Sequence, residues 1–167
     1  QLKGKSAAIK KINKSIMTDY KNTFKYKRRL FDYFEVLKKS SHNYIYCTYK
    51  CKVTYNQKGY VCFKFTSSWY AGGVGNTSEY GLTYRLRDGK KMGIQDVVYG
   101  KRSSVKKKIA DTYARKISRT GYRPIMKMNY SDFDYYIKPG KKVIVCFGPY
   151  KPNRGNGHVS IAVKGKI

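Results

Sequence analysis

The chain has 167 residues, 41% hydrophobic and 16% aromatic, which is enough apolar material for a packed core and excludes a disordered chain. Lysine and arginine number 37 against 9 aspartates and glutamates, a formal net charge of +28. Such a charge strains the compact state by self-repulsion and points to an anionic environment or partner, with a lysine-rich overall usage as the bland alternative. No apolar run reaches the roughly 18 residues that a membrane-spanning helix needs.

In chain order, residues 6–20 are expected to be a helix, with Ile9, Ile12, Ile16 and Tyr20 as its apolar stripe and Ser6 as its N-cap. A second helical pattern covers residues 28–39 through Leu30, Phe31, Phe34 and Leu37. Asn22 and Thr23 favour a break between the two, though a single bent helix also fits. From Asn43 the period changes to two. Residues 44–53 and 60–69 are expected to pair as a hairpin around Asn56-Gln57-Lys58-Gly59. Trp69 to Asn76 holds three glycines in four positions, at 72, 73 and 75, and is expected to be a loop that wraps a ligand or turns a corner. Residues 80–86 form another strand, Asp88-Gly89 a hairpin turn, and residues 92–94 a short strand.

A further helix is expected from Ser103 or Ser104 to about Ser118, with Val105, Ile109, Tyr113 and Ile117 buried and Gly121 as a stop. Residues 125–128 look extended and residues 130–132 look like a turn. Residues 134–137 and 142–147 form the last hairpin around Pro139-Gly140, and the continuous apolar run of 143–147 marks an inner strand covered on both faces. Pro149 to Gly157 is a loop, and residues 158–163 close the chain as a strand.

This order implies an α+β fold: antiparallel β-sheet hairpins, with an N-terminal helical segment and one inserted helix packed on the sheet. Two lobes, 1–77 and 78–167, are expected to form one compact unit. The chain begins at Gln1, with neither Met nor an apolar signal core, and is expected to be trimmed, any signal peptide or anchor lying upstream.

The four cysteines, Cys47, Cys51, Cys62 and Cys146, allow three disulfide pairings. The first hairpin would set Cys51 near Cys62, leaving Cys47 and Cys146, and two disulfides would suit an oxidising compartment. Free buried thiols are the alternative. No Cys-x-x-Cys pair occurs and the only histidines are His42 and His158, so neither a metal nor a cofactor is expected.

No nucleophile elbow, zinc-protease helix or phosphate loop appears. The residues left for a small cell-wall-active hydrolase are Asp132 and Asp134. Positive charge interleaved with 18 tyrosines allows base stacking and phosphate contact, yet no nucleic-acid-binding signature is present and the cations look spread over every element rather than gathered in one stripe. The tyrosines themselves fit ordinary half-buried sheet positions or a dedicated recognition surface.

Several short motifs occur in a telling order. Tyr70, Gly72 and Gly73 end an aromatic strand. Asp88-Gly89-Lys90 leads through Met92 and Ile94 to Asp96. Phe133 to Ile137 reads Phe-Asp-Tyr-Tyr-Ile, and Phe147, Pro149 and Tyr150 precede a loop with Gly157. In these the chain resembles the extracytoplasmic domain family of bacterial envelope proteins that includes the sensor region of the lysozyme-sensing anti-sigma factor and occurs beside polysaccharide deacetylase domains. The resemblance implies a secreted or surface-displayed α+β domain that binds and does not catalyse. Gly75 and Lys151 stand where that family often has a histidine and an acidic residue, and a chain of charge +28 repels the cationic lysozyme.

The expected function is therefore a non-catalytic extracytoplasmic binding or sensor domain. Its expected partner is an anionic cell-wall polymer, a membrane surface or an acidic protein, and not a specific nucleic acid. The expected ligand-binding residues are Tyr70, Gly72, Gly73 and Asn76 on the glycine loop, with Tyr150, Lys151 and Arg154 on the later loop.

Overall fold

The computed structural model describes residues 2–38, 44–71, 73–150, 152 and 157–167. The fold is α+β, as the pattern of helical and alternating segments implies. Helix α1 (Ala7–Lys38) is followed by the antiparallel strands β1 (Ile45–Gln57), β2 (Tyr60–Ala71) and β3 (Val74–Arg85), which form one sheet in that order. Short helix α2 (Ile94–Val97), helix α3 (Val105–Lys116) and helix α4 (Tyr122–Lys127) come next. Strands β4 (Asp134–Lys138), β5 (Lys142–Phe147) and β6 (Val159–Lys164) make a second antiparallel sheet. The 77/78 division falls inside β3.

Helix α1 runs unbroken through Asn22 and Thr23, where the sequence favours a break. The Thr23 hydroxyl donates back to the Asp19 carbonyl, satisfying itself inside the helix instead of ending it. Ser6 caps its start by accepting from the Ile9 amide at 3.3 Å. Ile12 is fully buried and packs with Val61, Phe63, Phe65, Leu82 and Tyr84, so α1 covers one face of the first sheet.

The other face of that sheet meets the second sheet at its base. Gly81 of β3 lies directly against Tyr135 and Tyr136 of β4. A Cβ at Gly81 would sit inside the contact distance of the Tyr135 carbonyl oxygen, so only glycine lets the two strands come this close. A register shift between Val53 and Tyr55 turns Tyr55 to the same face as Cys62, and both are buried between the sheets. In the second sheet β5 is central and Val143 to Phe147 are all buried, matching the expected inner strand. Tyr113 of α3 packs edge-on against Phe147 with ring centres 5.1 Å apart, which places α3 on the face away from the first sheet.

Three local expectations are corrected. Residues 92–94 are not a strand: Met92 makes one backbone bond to Thr83, and α2 starts at Ile94 with the Asp96 carboxylate accepting from the Gly93 amide. Residues 125–128 are not extended, because Tyr122–Lys127 is helical with Ile125 buried. Gly121 does not stop α3. It lies in a 3-10 turn, Arg119–Gly121, that leads into α4 and presses on the Tyr113 ring.

The expected disulfides are also overturned, since all four cysteines are free. The hairpin closes at Gln57 and Tyr60, so Cys62 faces Tyr55 and Cys51 faces Phe65. Cys62 is buried between the sheets while Cys51 is exposed on the opposite face. Cys146 lies in the second sheet, opposite Asp134 and Ser160. The Cys62 sulfur instead accepts a hydrogen bond from the buried Ile137 amide at 3.3 Å, tying the first sheet to the second.

Candidate functional site

Most of the expected glycine loop is strand. Ala71 pairs with Val74, and Gly75 and Asn76 already belong to β3, opposite Tyr70 and Trp69. Gly73 takes φ +96, a backbone conformation closed to most side chains. Tyr70 and Asn76 therefore point to opposite faces of the sheet. On its face Tyr70 stacks with Tyr44 and Tyr46 at 5.2 and 6.0 Å. Gly72, Lys151 and Arg154, like His42, lie outside the described residues.

Tyr150 occupies another part of the molecule. It is 80% exposed and lines a cleft of about 810 Å³ together with Thr120, Arg123, Pro124, Lys127, Met128, Asp132 and Pro152. Helix α4 builds the cationic wall. Arg123 and Lys127 are one turn apart, so both exposed side chains flank the same opening. Ile125, between them in sequence, is buried and anchors the helix. Tyr150 and Pro152 form the other wall, held by the bridge between Gly148 and Pro152. Asp132 is engaged locally: its carboxylate accepts from the Asn129 amide at 2.8 Å and the Ser131 hydroxyl at 3.2 Å. The cleft thus presents two cations, an aromatic face and a thioether.

A second cleft of about 580 Å³ lies between α1, β3 and β4. Asp19 and Asp134 line it with Tyr80, Lys91 and Tyr130. Asp19 accepts from the Tyr80 and Tyr49 hydroxyls at 2.6 and 3.0 Å. Burial raises the Tyr80 phenol and pushes that of Tyr49 up to about 12. The Asp134 carboxyl reaches solvent at the mouth, but the cleft walls strip water from it and push it up to about 6. Lys91 opposes that rise and Asp19 adds to it. Asp132 and Asp134 consequently serve different clefts.

A smaller recess of about 230 Å³ collects Glu79 of β3, Cys146 of β5 and His158 just before β6, where the two sheets meet. Burial pushes the Cys146 thiol up to about 12, so it stays protonated and is a poor nucleophile. Burial lowers the His158 imidazole, and Glu79 is committed to Lys64 at 2.5 Å. Among the described residues no group of three or more His, Cys, Asp or Glu side chains is placed to hold a metal ion, and no helix is long and apolar enough to cross a membrane.

Sequence reasoning does not single out Arg123, Lys127 or Asp19. The i, i+4 spacing of the two cations carries the signal, but it is visible only once residues 122–127 are known to be helical. Asp19 gives no signal, because its tyrosine partners come from strands 30 and 61 residues away.

No family model matches the sequence, and no curated protein matches it. Among solved structures, the chain is similar to a DUF3298-family protein of Bacteroides fragilis, at 13% identity and a TM-score of 0.54, over 96% of this chain and 67% of that one. It is also similar to a DUF3298-family protein of Pseudomonas aeruginosa, at 16% identity and a TM-score of 0.53, over 83% of this chain and 64% of that one. The chain spans about two thirds of the length of each, and at these identities what it shares with the DUF3298 structures is the fold.

Proposed function

We propose that this chain is a non-catalytic, extracytoplasmic binding or sensor domain whose ligand is an anionic envelope polymer, engaged in the cleft between α4 and Tyr150. The observation that carries the reading is the cationic wall. Arg123 and Lys127 stand one turn apart at the mouth of an 810 Å³ cleft, opposite an exposed tyrosine, and the neighbouring Asp132 is spent on its own turn. A phosphate or carboxylate group would meet two donors there, and Tyr150 offers a flat face to an attached sugar or polyol. The likeness of the sequence motifs to the anti-sigma sensor region supports a place outside the cytoplasmic membrane. The ligand differs from lysozyme, because a chain of charge +28 repels a cationic protein.

The test is retention on purified cell walls over a salt series, comparing the parent with the double variant Arg123→Glu, Lys127→Glu. Retention that falls with salt, and that the double variant loses at least tenfold, is the expected result. Absence of retention at low salt, or equal retention of parent and variant, removes this reading.

A further inference from the structure

The sequence leaves the cations of α1 scattered, and continuous helicity gathers them. Lys10, Lys14, Lys21, Lys25 and Arg28 follow one another at spacings of four, seven, four and three, which is one face of an α-helix. All five are exposed. At a rise of about 1.5 Å per residue the row extends over roughly 27 Å. Between Lys10 and Arg28 the only acidic residue is Asp19, and it points away, into the cleft where Tyr49 and Tyr80 donate to it. Asp32 ends the row. Like charges one turn apart on a helix repel, by a few tenths of a kcal/mol per pair. Nothing on α1 between Lys10 and Arg28 relieves that repulsion.

The row has an apolar shoulder. Tyr20 and Phe24 are 52% and 55% exposed, and their rings lie 6.4 Å apart beside Lys21 and Lys25. The opposite face, with Ile12 and Ile16, is already used against the first sheet. A phosphate chain would need only the cations and would leave the two rings in water. A bilayer surface takes both, since lysine and arginine pair with anionic headgroups while tyrosine and phenylalanine settle at headgroup level. A straight helical row also meets a plane along its whole length.

We propose that the outer face of α1 docks in the plane of a phospholipid bilayer containing anionic lipid, independently of the α4 cleft. The test is co-sedimentation with vesicles of phosphatidylcholine, with and without phosphatidylglycerol. The variants are the row reversal Lys21→Glu, Lys25→Glu, Arg28→Glu, the single change Phe24→Ser, and a control reversal of exposed residues elsewhere, Lys101→Glu, Lys116→Glu, Arg119→Glu, which changes net charge equally.

The parent is expected to bind only vesicles containing phosphatidylglycerol. The row reversal should weaken partitioning on the order of a hundredfold, given roughly one kcal/mol per cation near such a surface. The control should weaken it only a few-fold, and Phe24→Ser several-fold. Should the row reversal lose its helical circular dichroism, the neutral triple Lys21→Gln, Lys25→Gln, Arg28→Gln carries the same comparison with a smaller loss. Failure of the parent to bind phosphatidylglycerol vesicles at low salt overturns the proposal. Equal losses from row and control overturn it in favour of net charge alone. An unaffected Phe24→Ser variant, together with equally tight binding of soluble polyphosphate, overturns it in favour of a chain-like polyanion.

Discussion

The two sheets differ more than their sequences do. Both carry a cluster of tyrosines, yet Tyr135 and Tyr136 of β4 are 5% and 4% exposed, whereas Tyr44, just before β1, and Tyr46 within it are 69% and 39% exposed. The cause is what covers each strand. The second sheet is closed by α3 on one face and by the base of the first sheet on the other, so β5 is dry on both sides. The first sheet has α1 on one face only. Beyond its junction with β4, its other face is wet and carries the stacked Tyr44, Tyr46 and Tyr70 beside Thr48, Ser68 and Thr77. Tyrosine serves as core in one place and as surface in the other, because its ring packs and its hydroxyl tolerates water.

The junction is where this contrast is easiest to break. Gly81→Ala forces β3 away from Tyr135 and Tyr136 and should cost about 3 kcal/mol, read as a lowered urea midpoint. A midpoint shift of only a few tenths would mean that the sheets are not held at contact distance. Next in size is Cys62→Ala, which strands the buried Ile137 amide and should cost about 2 kcal/mol, while Cys62→Ser keeps an acceptor and should cost less. Reducing agent should leave the thermal midpoint of the parent unchanged, because no disulfide links the sheets. A midpoint that drops on reduction would show otherwise.

The smallest effect is expected at Asp134, in the cleft where α1 and the second sheet approach. Its folded carboxyl titrates near 6 against about 4 for an unfolded aspartate, so the fold favours the protonated form. That contribution is complete below about pH 4 and is lost as pH rises through 6. Asp134→Asn should therefore gain stability relative to the parent above pH 6 and lose the advantage below pH 4. Parallel pH profiles of the two proteins would show that the cleft does not desolvate this carboxyl.

Much of the architecture was legible in the sequence. The apolar run Val143–Phe147 announced the inner strand, and the change from spacings of three and four to a period of two separated α1 from the hairpins. Locally, Ser6 announced its cap. The misreadings share one cause. Thr23, residues 92–94 and residues 125–128 are short stretches whose own preferences are weak, and their state was settled by a back-bonded hydroxyl, by the Asp96 carboxylate and by the burial of Ile125 in the helix Tyr122–Lys127. The α4 cleft was half legible, through Tyr150 but not through Arg123 and Lys127.

Charge, composition and periodicity by themselves determined that this is a cationic α+β chain with one doubly covered strand, because burial patterns along an element are local and periodic. Only the tertiary structure decided which tyrosines are core, that the cysteines stay apart, that Asp19 and Asp134 share a cleft, and that Arg123, Lys127 and Tyr150 face one opening. Those facts depend on register and on the approach of elements far apart in the chain, and a shift of a single residue in register turns every side chain to the other face.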